Sequence, residues 1–596
     1  MNKCHLSMAM LLLPGSSFPV FATEIDPVVV TATRTARTAD DTLAPVTIVT
    51  RDDIKRQQAQ SIRDVLRGMP GIGIANSGGA GKNTSVYLRG TESDHVLVLI
   101  DGVKVGSATS GTTSFQHIPI EQIERIEIAR GPRSSLYGSE AVGGVIQIFT
   151  RKGGGRTKPF FSIGYGAHHT YDITAGISGG GERGWYNLSI SGVDTKGFDA
   201  KATEEPDDDG YRDLSGFLRA GYRFHNGIDV DIHAMRARND TEFDGSFQNE
   251  SESVQQVLGG TLRYSPMDPW QLTLSAGQSR DDLDSFKDGV FKDRFDTTRH
   301  TFLLQNDFSV TDKHLLTLGI DYQDDRIQST KAFRLTSRDN RGVFAQYQGA
   351  LFAHDLQFSL RRDENQQFGA RDTGSAAWGY AFGEGLRISA GYGGAFKAPT
   401  FNELYYPNYG NPDLGPEESR SFEIGLDGKV PWGRWNLDAY ETRIDDLIAY
   451  DASTTAAANI QKARIRGLES TFATRMQDWD IEANLTLLDP ENRSSDNPGN
   501  VLLRRARQSL RFDADRQFGK YAIGATLVAE NERYDDLANT EKVSGYATLD
   551  LRAEYELTRD WRLQARVENV FDKDYETVAS YHQPGRGLFL TLRYQP

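Results

Sequence analysis

"YDITAGISGGGERGWYNLSISG", residues 171–192, consists of two short stretches of alternating apolar and polar residues around a glycine-rich break. Alternation at period two is the pattern of a β-strand with different surroundings on its two faces. "GGGERG" is a tight turn, so the segment predicts an antiparallel hairpin with strands beginning near Tyr171 and Trp185. The same grammar starts after Gly153, near Phe160, and runs to strands beginning near Trp561 and Gly587, for 22 candidate strands in all. The even count, at roughly 20 residues per strand with its connection, suits membrane-crossing strands that extend past the hydrocarbon layer.

The connections carry the stronger argument. Every second one is short: "HNG", "SPMDP", "TDK", "AHD", "PWGR", "FGK" and "TRD" are examples. Those between are generally longer, as at 199–213, 240–255, 396–420 and 572–586. Short turns at one rim and long loops at the other are the asymmetry of an outer-membrane barrel. Trp185, Trp270, Trp432, Trp435, Trp479 and Trp561, six of the seven tryptophans, lie at or beside the short turns, as an interfacial aromatic girdle requires. The mean hydropathy of −0.52 does not oppose this, because such strands spend half their residues on a polar lumen. No repeat of fixed period supports a soluble propeller or solenoid. The net charge of −15 argues against nucleic acid as partner.

Ahead of the barrel, residues 1–22 read as a secretory signal peptide: Lys3, a short apolar run at Met8–Leu13, and a small-residue cleavage site ending in Ala22. The only cysteine, Cys4, lies inside it, so disulfide scaffolds and thiol chemistry are excluded from the exported chain. Residues 35–152 read as a mixed α/β domain. "RDDIKRQQAQSIRDVLRGMPGI" carries a helical rhythm at Ile54, Ile62, Val65 and Leu66, ended by Gly68 and Pro70. Short strands follow in "VYLRG", "HVLVLIDGV", "IERIEIARG" and "GGVIQIFTRKG". The intervening 23–34 contains "DPVVVTA", a strand-like stretch with a proline before it and no turn and second strand close enough for a hairpin. A barrel this wide encloses a lumen that needs filling, and the front domain is the object to fill it.

"SIRDVLRGMPGI", "VLVLIDGV" and especially "IERIEIARGPRSSLYGSEAVGGVIQIFTRKG" resemble the plug domain of TonB-dependent outer-membrane transporters. The resemblance extends over essentially the whole chain after residue 22. It implies an all-β membrane protein of a Gram-negative outer membrane: a 22-stranded antiparallel barrel over 153–596 with an α/β plug, 35–152, inside it. It implies transport and no enzymatic activity. The eleven scattered histidines also form no nucleophile–base motif. Asp26, Pro27, Val28, Val29, Val30, Thr31 and Ala32 stand where the family carries its TonB box, the strand pulled by the periplasmic domain of TonB and its inner-membrane energising complex. Arg89, Arg125, Arg130 and Arg133 are expected to meet wall carboxylates such as Glu423 or Glu469. The barrel's other neighbours are outer-membrane lipid and lipopolysaccharide, and the implied state is monomeric.

Within the family the resemblance runs to the cobalamin (vitamin B12) transporters, through "APVTIVTRDDI", "YGNPDLGPEESRSFEIGL", "DDLIAYD", "LLRRARQ" and "NVFDKDYETV". A periplasmic cobalamin-binding protein would then act downstream. The alternative is a ferric siderophore or heme receptor. Heme is disfavoured because "FKAPTFNELYYPNYGNPDL" has no histidine to ligate iron. In "GFDAKATEEPDDDGY", Asp199, Glu205, Asp207 and Asp209 gather the hard oxygen ligands that Ca²⁺ prefers. The resemblance adds Asp244 and implies structural calcium in the extracellular loops, with no catalytic cofactor. For the corrinoid it implies contacts from Asn83, Ser85 and Glu92 on the plug apices, Ser110 in the next loop, Gly245 in the third barrel loop and Arg504 near a late one. Glu92 departs from the neutral residue expected there.

Overall fold

The structure is a computed structural model describing residues 29–30, 34–35, 37–38, 42–201, 205–383, 385–451 and 454–596. Among these, 22 antiparallel strands close into one barrel, from Lys158–Gly166 to Gly587–Tyr594, which pair with each other to complete the ring. All the strand starts expected from sequence correspond to barrel strands. The strand Gly184–Thr195 shows why they form: Asn187, Ser189 and Ser191 are buried toward the lumen, while Leu188 and Ile190 are more than half exposed on the outer wall. No helix among the described residues is long and apolar enough to cross a membrane.

The extracellular hairpins differ from the expectation. Residues 240–255 were expected as a long loop, but the strands Asp229–Glu242 and Glu250–Met267 leave only 243–249 unpaired. The strand Val290–Thr311 begins ten residues before His300, and a two-residue turn at Asp288 (φ 52°) and Gly289 (φ 73°) joins it to Trp270–Lys287. Asp-Gly suits such a turn because both central residues need positive φ. These hairpins stand above the hydrocarbon, where neither face must be apolar, so "DDLDSFKDGVFKDRFD" pairs its backbone without showing alternation. The seventh tryptophan, Trp378, joins the girdle as well: it sits near the short-turn end of its strand and donates to His354 Nδ1 at 3.1 Å.

In the front segment, strand β1 (Val29–Val30) pairs antiparallel with β2 (Arg37–Thr38), and Arg34 at φ 67° lies between them. The expectation of an unpaired strand is therefore corrected: a hairpin forms, two rungs long. The remaining TonB-box positions, Asp26, Pro27, Val28, Thr31 and Ala32, lie outside the described residues, as does the signal peptide.

The plug is a five-stranded sheet in the order β3 (Val46–Thr50), β8 (Ile123–Arg130), β9 (Gly144–Thr150), β6 (Val96–Ile100), β7 (Val103–Val105). A separate hairpin joins β4 (Ile72–Asn76) to β5 (Thr84–Leu88). The single helical rhythm resolves into α1 (Arg51–Gln57) and α2 (Ile62–Leu66), separated at Gln58 (φ 50°). Thr50 with Asp53, and Ser61 with Asp64, form a capping box on each, which is why the chain restarts a helix instead of extending one. Ile54, Ile62, Val65 and Leu66 are all buried, in a core that also takes in Phe217, Met235 and Val257 of the barrel wall.

Candidate functional site

Three parts of the molecule meet at the extracellular end of the plug. The first is the glycine-rich apex before β5. A Cβ on Gly78, Gly79 or Gly81 would fall within 2.8 Å of Ala200, Phe198 or Tyr211, so the apex can lie flush against the second extracellular loop only as glycine. Lys82, 2 % exposed, completes the contact by donating to the carbonyls of Asp209 at 2.9 Å and Gly210 at 3.2 Å. Burial pushes its ammonium down to about 8. Next to Lys82, Asn83 is exposed and Ser85 half-buried, and Ser110 is exposed in the neighbouring loop, so all three present polar groups outward.

The second part is the acidic loop. The structure brings Asp199, Asp209 and Asp244 into one electrostatic group. Neither carboxylate oxygen of Asp244 and not Asp199 Oδ1 has a hydrogen-bond partner, although all three atoms are buried. Asp209 Oδ2 accepts from the Ala200 amide at 3.0 Å. Burial and the charges of Asp209 and Asp199 push the Asp244 carboxyl up to about 7. Glu205 is not brought to this group; Lys287 engages it, and Lys287 also donates to the Gly245 carbonyl at 3.2 Å. Asp207 is exposed, with its amide donating to Glu205 O at 3.0 Å. Among the described residues no three His, Cys, Asp or Glu side chains converge in a ready-made metal cluster. The orphaned oxygens of Asp244 and Asp199 nonetheless suit a cation, since buried unpaired acceptors are otherwise costly. Gly245 has a structural reason to lack a side chain: a Cβ would come within 2.2 Å of Gln248 O.

The third part surrounds Glu92. Its carboxylate meets the guanidinium of Arg505 at 2.8 Å. Arg505 is 2 % exposed, donates to the carbonyls of Gly90 and Thr91 at 3.2 and 3.1 Å, and lies 4.1 Å over the Tyr87 ring. An acid at position 92 therefore answers a buried base that sequence reading missed. Arg504, the expected contact, turns the other way at φ 62° and pairs with Asp535. Just behind, Asp94 meets Lys397 at 2.8 Å and His95 Nε2 lies 2.5 Å from Glu417, tying the apex to the wall.

Deeper in the lumen, Arg89 contacts Glu423 at 2.7 Å and Glu469 at 3.1 Å, and Arg130 contacts Glu469 at 2.9 Å. Two of the four plug arginines thus meet the expected wall carboxylates. Arg125 instead pairs with Glu127 of the plug at 2.8 Å, and Arg133 donates to the Arg130 carbonyl at 3.0 Å. On the periplasmic side Arg34 donates to Leu136 O at 2.8 Å, reaches Asp321 at 3.5 Å and lies over the rings of Tyr137 and Phe344. Between β1 and β2, Arg34 thus reaches both plug and wall, and Thr35 adds a second wall contact by donating from Oγ1 to Gln348 Oε1 at 3.0 Å.

Comparison with known proteins agrees with this architecture. Residues 38–145 match the TonB-dependent receptor plug domain, and residues 151–570 match the TonB-dependent receptor-like β-barrel. The chain is 33% identical, over the full length of both proteins, to a vitamin B12 transporter BtuB of Photobacterium profundum. It is 32% identical, again over both full lengths, to one of Vibrio cholerae. Among solved structures, the ferric enterobactin receptor of Pseudomonas aeruginosa superposes with a TM-score of 0.80 at 19% identity, covering 97% of this chain and 100% of that one. The siderophore receptor PirA of Acinetobacter baumannii gives 0.79 at 17% identity over 92% and 98%. At such identities these two structures share the fold. Plug, barrel and full-length relatives together make this chain a member of the TonB-dependent receptor family of outer-membrane transporters.

Proposed function

We propose that this receptor imports cobalamin, with Ca²⁺ ordering the loops that receive it. The observation that carries the reading is the direct seating of the acidic loop on the plug apex: Lys82 holds the backbone of the same loop whose Asp199 and Asp209 face Asp244. Asp199, Asp207, Asp209 and Asp244 would hold the cation, and Glu205 could join only by leaving Lys287. Bound calcium supplies positive charge to buried carboxylates and so fixes the second and third loops over the apex. Asn83, Ser85 and Ser110 then offer neutral hydrogen-bonding groups to an amide-rimmed corrinoid. Glu92 is held by Arg505 and contributes through that pair, and Arg504 contributes once released from Asp535. The end-to-end likeness to vitamin B12 transporters supports the same substrate class.

Transport in this family is driven through TonB. Here residues 26–32 would add as a strand to the TonB periplasmic domain, with backbone hydrogen bonds providing the grip. Equilibrium binding of labelled cyanocobalamin to purified protein, with and without calcium chelation, tests the reading. Micromolar or tighter binding that weakens on chelation is expected. No binding in calcium, with binding of a ferric siderophore instead, would replace the substrate while leaving the transporter class intact.

A further inference from the structure

One interval of the barrel wall is not zipped. The strands Gly369–Phe382 and Leu386–Lys397 pair from their short turn only as far as Ser375 and Gly393. On its other side, the first of these is paired out to Gly369 with Asn365, and the second out to Lys397 with Glu417. Among the described residues the ladder has no rung between 369–374 and 394–397. The cause lies in the plug. The Phe396 amide donates to Ser134 Oγ at 3.3 Å, the Phe396 carbonyl accepts from the Glu140 amide at 3.3 Å, and the Ala398 amide donates to Ser139 Oγ at 2.9 Å. Backbone groups that would have closed the wall are spent on the segment 134–140.

The seam opens into a cleft of about 590 Å³. It lies in the half of the strands that leads to the extracellular loops, where the outer leaflet meets the protein. Its floor is two outward-facing glycines without side chains, Gly374 and Gly394, next in line after the last rung. Beside them are Leu360, 71% exposed, and Tyr392, 53% exposed, both apolar groups of the lipid-facing wall. Arg371 and Arg420 line the cleft from the lumen side and the outer face, and neither forms an ion pair among the described residues. Arg371 Nε and Thr373 Oγ1 are buried without a hydrogen-bond partner. Of the nearby acids, Asp372 is engaged by Arg362 at 3.0 Å and Asp363, directly across from Arg371, by Arg361 at 2.7 Å, and Glu418 alone does not offset two arginines without an ion pair among the described residues. Open strand edges are not tolerated against hydrocarbon unless something polar meets them. An apolar hollow capped by cations is the complement of an amphiphile with an anionic head.

We propose that this cleft is a binding site for a lipid of the outer leaflet whose phosphorylated head carries net negative charge. The phosphate lies at the open rung of Gly374 and Gly394, meeting Arg420 with Arg371 behind it, and one acyl chain runs from there along Leu360 and Tyr392. Because plug residues 134–140 hold the seam open, plug displacement and lipid occupancy are linked: zipping the strands would expel the lipid.

Native mass spectrometry of the purified full chain, delipidated and then offered diphosphorylated lipid A, phosphatidylethanolamine or inorganic phosphate, tests this. Lipid A should be retained, phosphatidylethanolamine should be stripped, and phosphate at millimolar level should not compete. Arg371→Gln combined with Arg420→Gln should lower the retained fraction at least about tenfold. Gly394→Phe should do the same by filling the hollow; a Cβ there meets no atom nearer than 3.7 Å, and heat-modifiable gel mobility checks that the barrel still forms. Lipid A retention unchanged in both variants, equal retention of phosphatidylethanolamine, or full competition by phosphate would each overturn the proposal.

Discussion

Asp244 is the residue on which the calcium reading turns. Its two buried, unpaired carboxylate oxygens face Asp209 and Asp199, and its carboxyl sits at about 7 instead of the ordinary 3.8. A carboxyl raised on folding is a liability when ionised, so without metal the loop loses stability as pH rises through about 7. Calcium reverses that sign by compensating the charge, and below about pH 7 it must first displace a proton. Calcium affinity measured by titration calorimetry should therefore be highest above pH 7 and fall about tenfold per pH unit below it. Asp244→Asn should weaken binding and flatten that profile; an unchanged profile would remove Asp244 from the site. The Glu92–Arg505 pair makes a second, separable prediction. Glu92 is the exposed partner and Arg505 the buried one, with carbonyl and ring contacts besides. Arg505→Ala should cost ligand affinity at least about tenfold, roughly 1.4 kcal/mol, and Glu92→Gln no more than about threefold, in the same cyanocobalamin assay.

At the scale of elements, the barrel strands were legible because lipid on one side and lumen on the other impose period two, as Asn187, Leu188, Ser189 and Ile190 illustrate. The extracellular extensions were not legible, since 281–296 face water on the outside and polar groups within and so carry no alternation. The acids of the second loop announced themselves by composition. Lys82, Lys397 and Arg505 did not, because each acts across more than 100 residues or between separate folds, and no local pattern records such a contact. The β1–β2 hairpin is an intermediate case. Val29 and Val30 read correctly as strand, but their partner is held in place by Arg34 and Thr35, whose contacts at Leu136, Asp321 and Gln348 are long-range. Two rungs are weak, so this element is poised to exchange β2 for another strand. Val29→Pro removes an amide from that edge and should abolish energised uptake while leaving ligand affinity within about twofold. Arg34→Ala should raise the mobility of a spin label at Thr38 in the ligand-free protein; an immobile label would show that the hairpin is held by something other than Arg34.

At the scale of the whole molecule, the plug is gripped unevenly. Along the strands from Glu417–Val430 to Trp479–Asn492, Arg89 and Arg130 are clamped by Glu423 and Glu469, and Arg89 also lies 4.2 Å over the Tyr440 ring. Along the opposite wall, from Tyr211–Arg223 to His354–Asn365, a cavity of about 960 Å³ runs between plug and barrel, bridged at separate points such as Arg219 to Asp101 at 2.8 Å and Ser279 Oγ to the Lys104 carbonyl at 2.7 Å. β7 is one of the two edge strands of the plug sheet and lines that cavity. A pulled plug should accordingly yield first at the cavity wall and pivot on the clamp. Glu469 is fully buried and serves two arginines, so Glu469→Gln leaves buried guanidinium charge short of a partner, a change that costs roughly 3–5 kcal/mol when one member of a buried pair is removed. Hydrogen exchange resolved by segment separates the two walls. In the unsubstituted protein, amides of 101–105 should exchange faster than those of β4 and β5. Glu469→Gln should speed β4 and β5 markedly and leave 101–105 unchanged, with the barrel strands still protected. Acceleration spread evenly over the plug would mean that the clamp is one contact among many and that the plug has no preferred pivot.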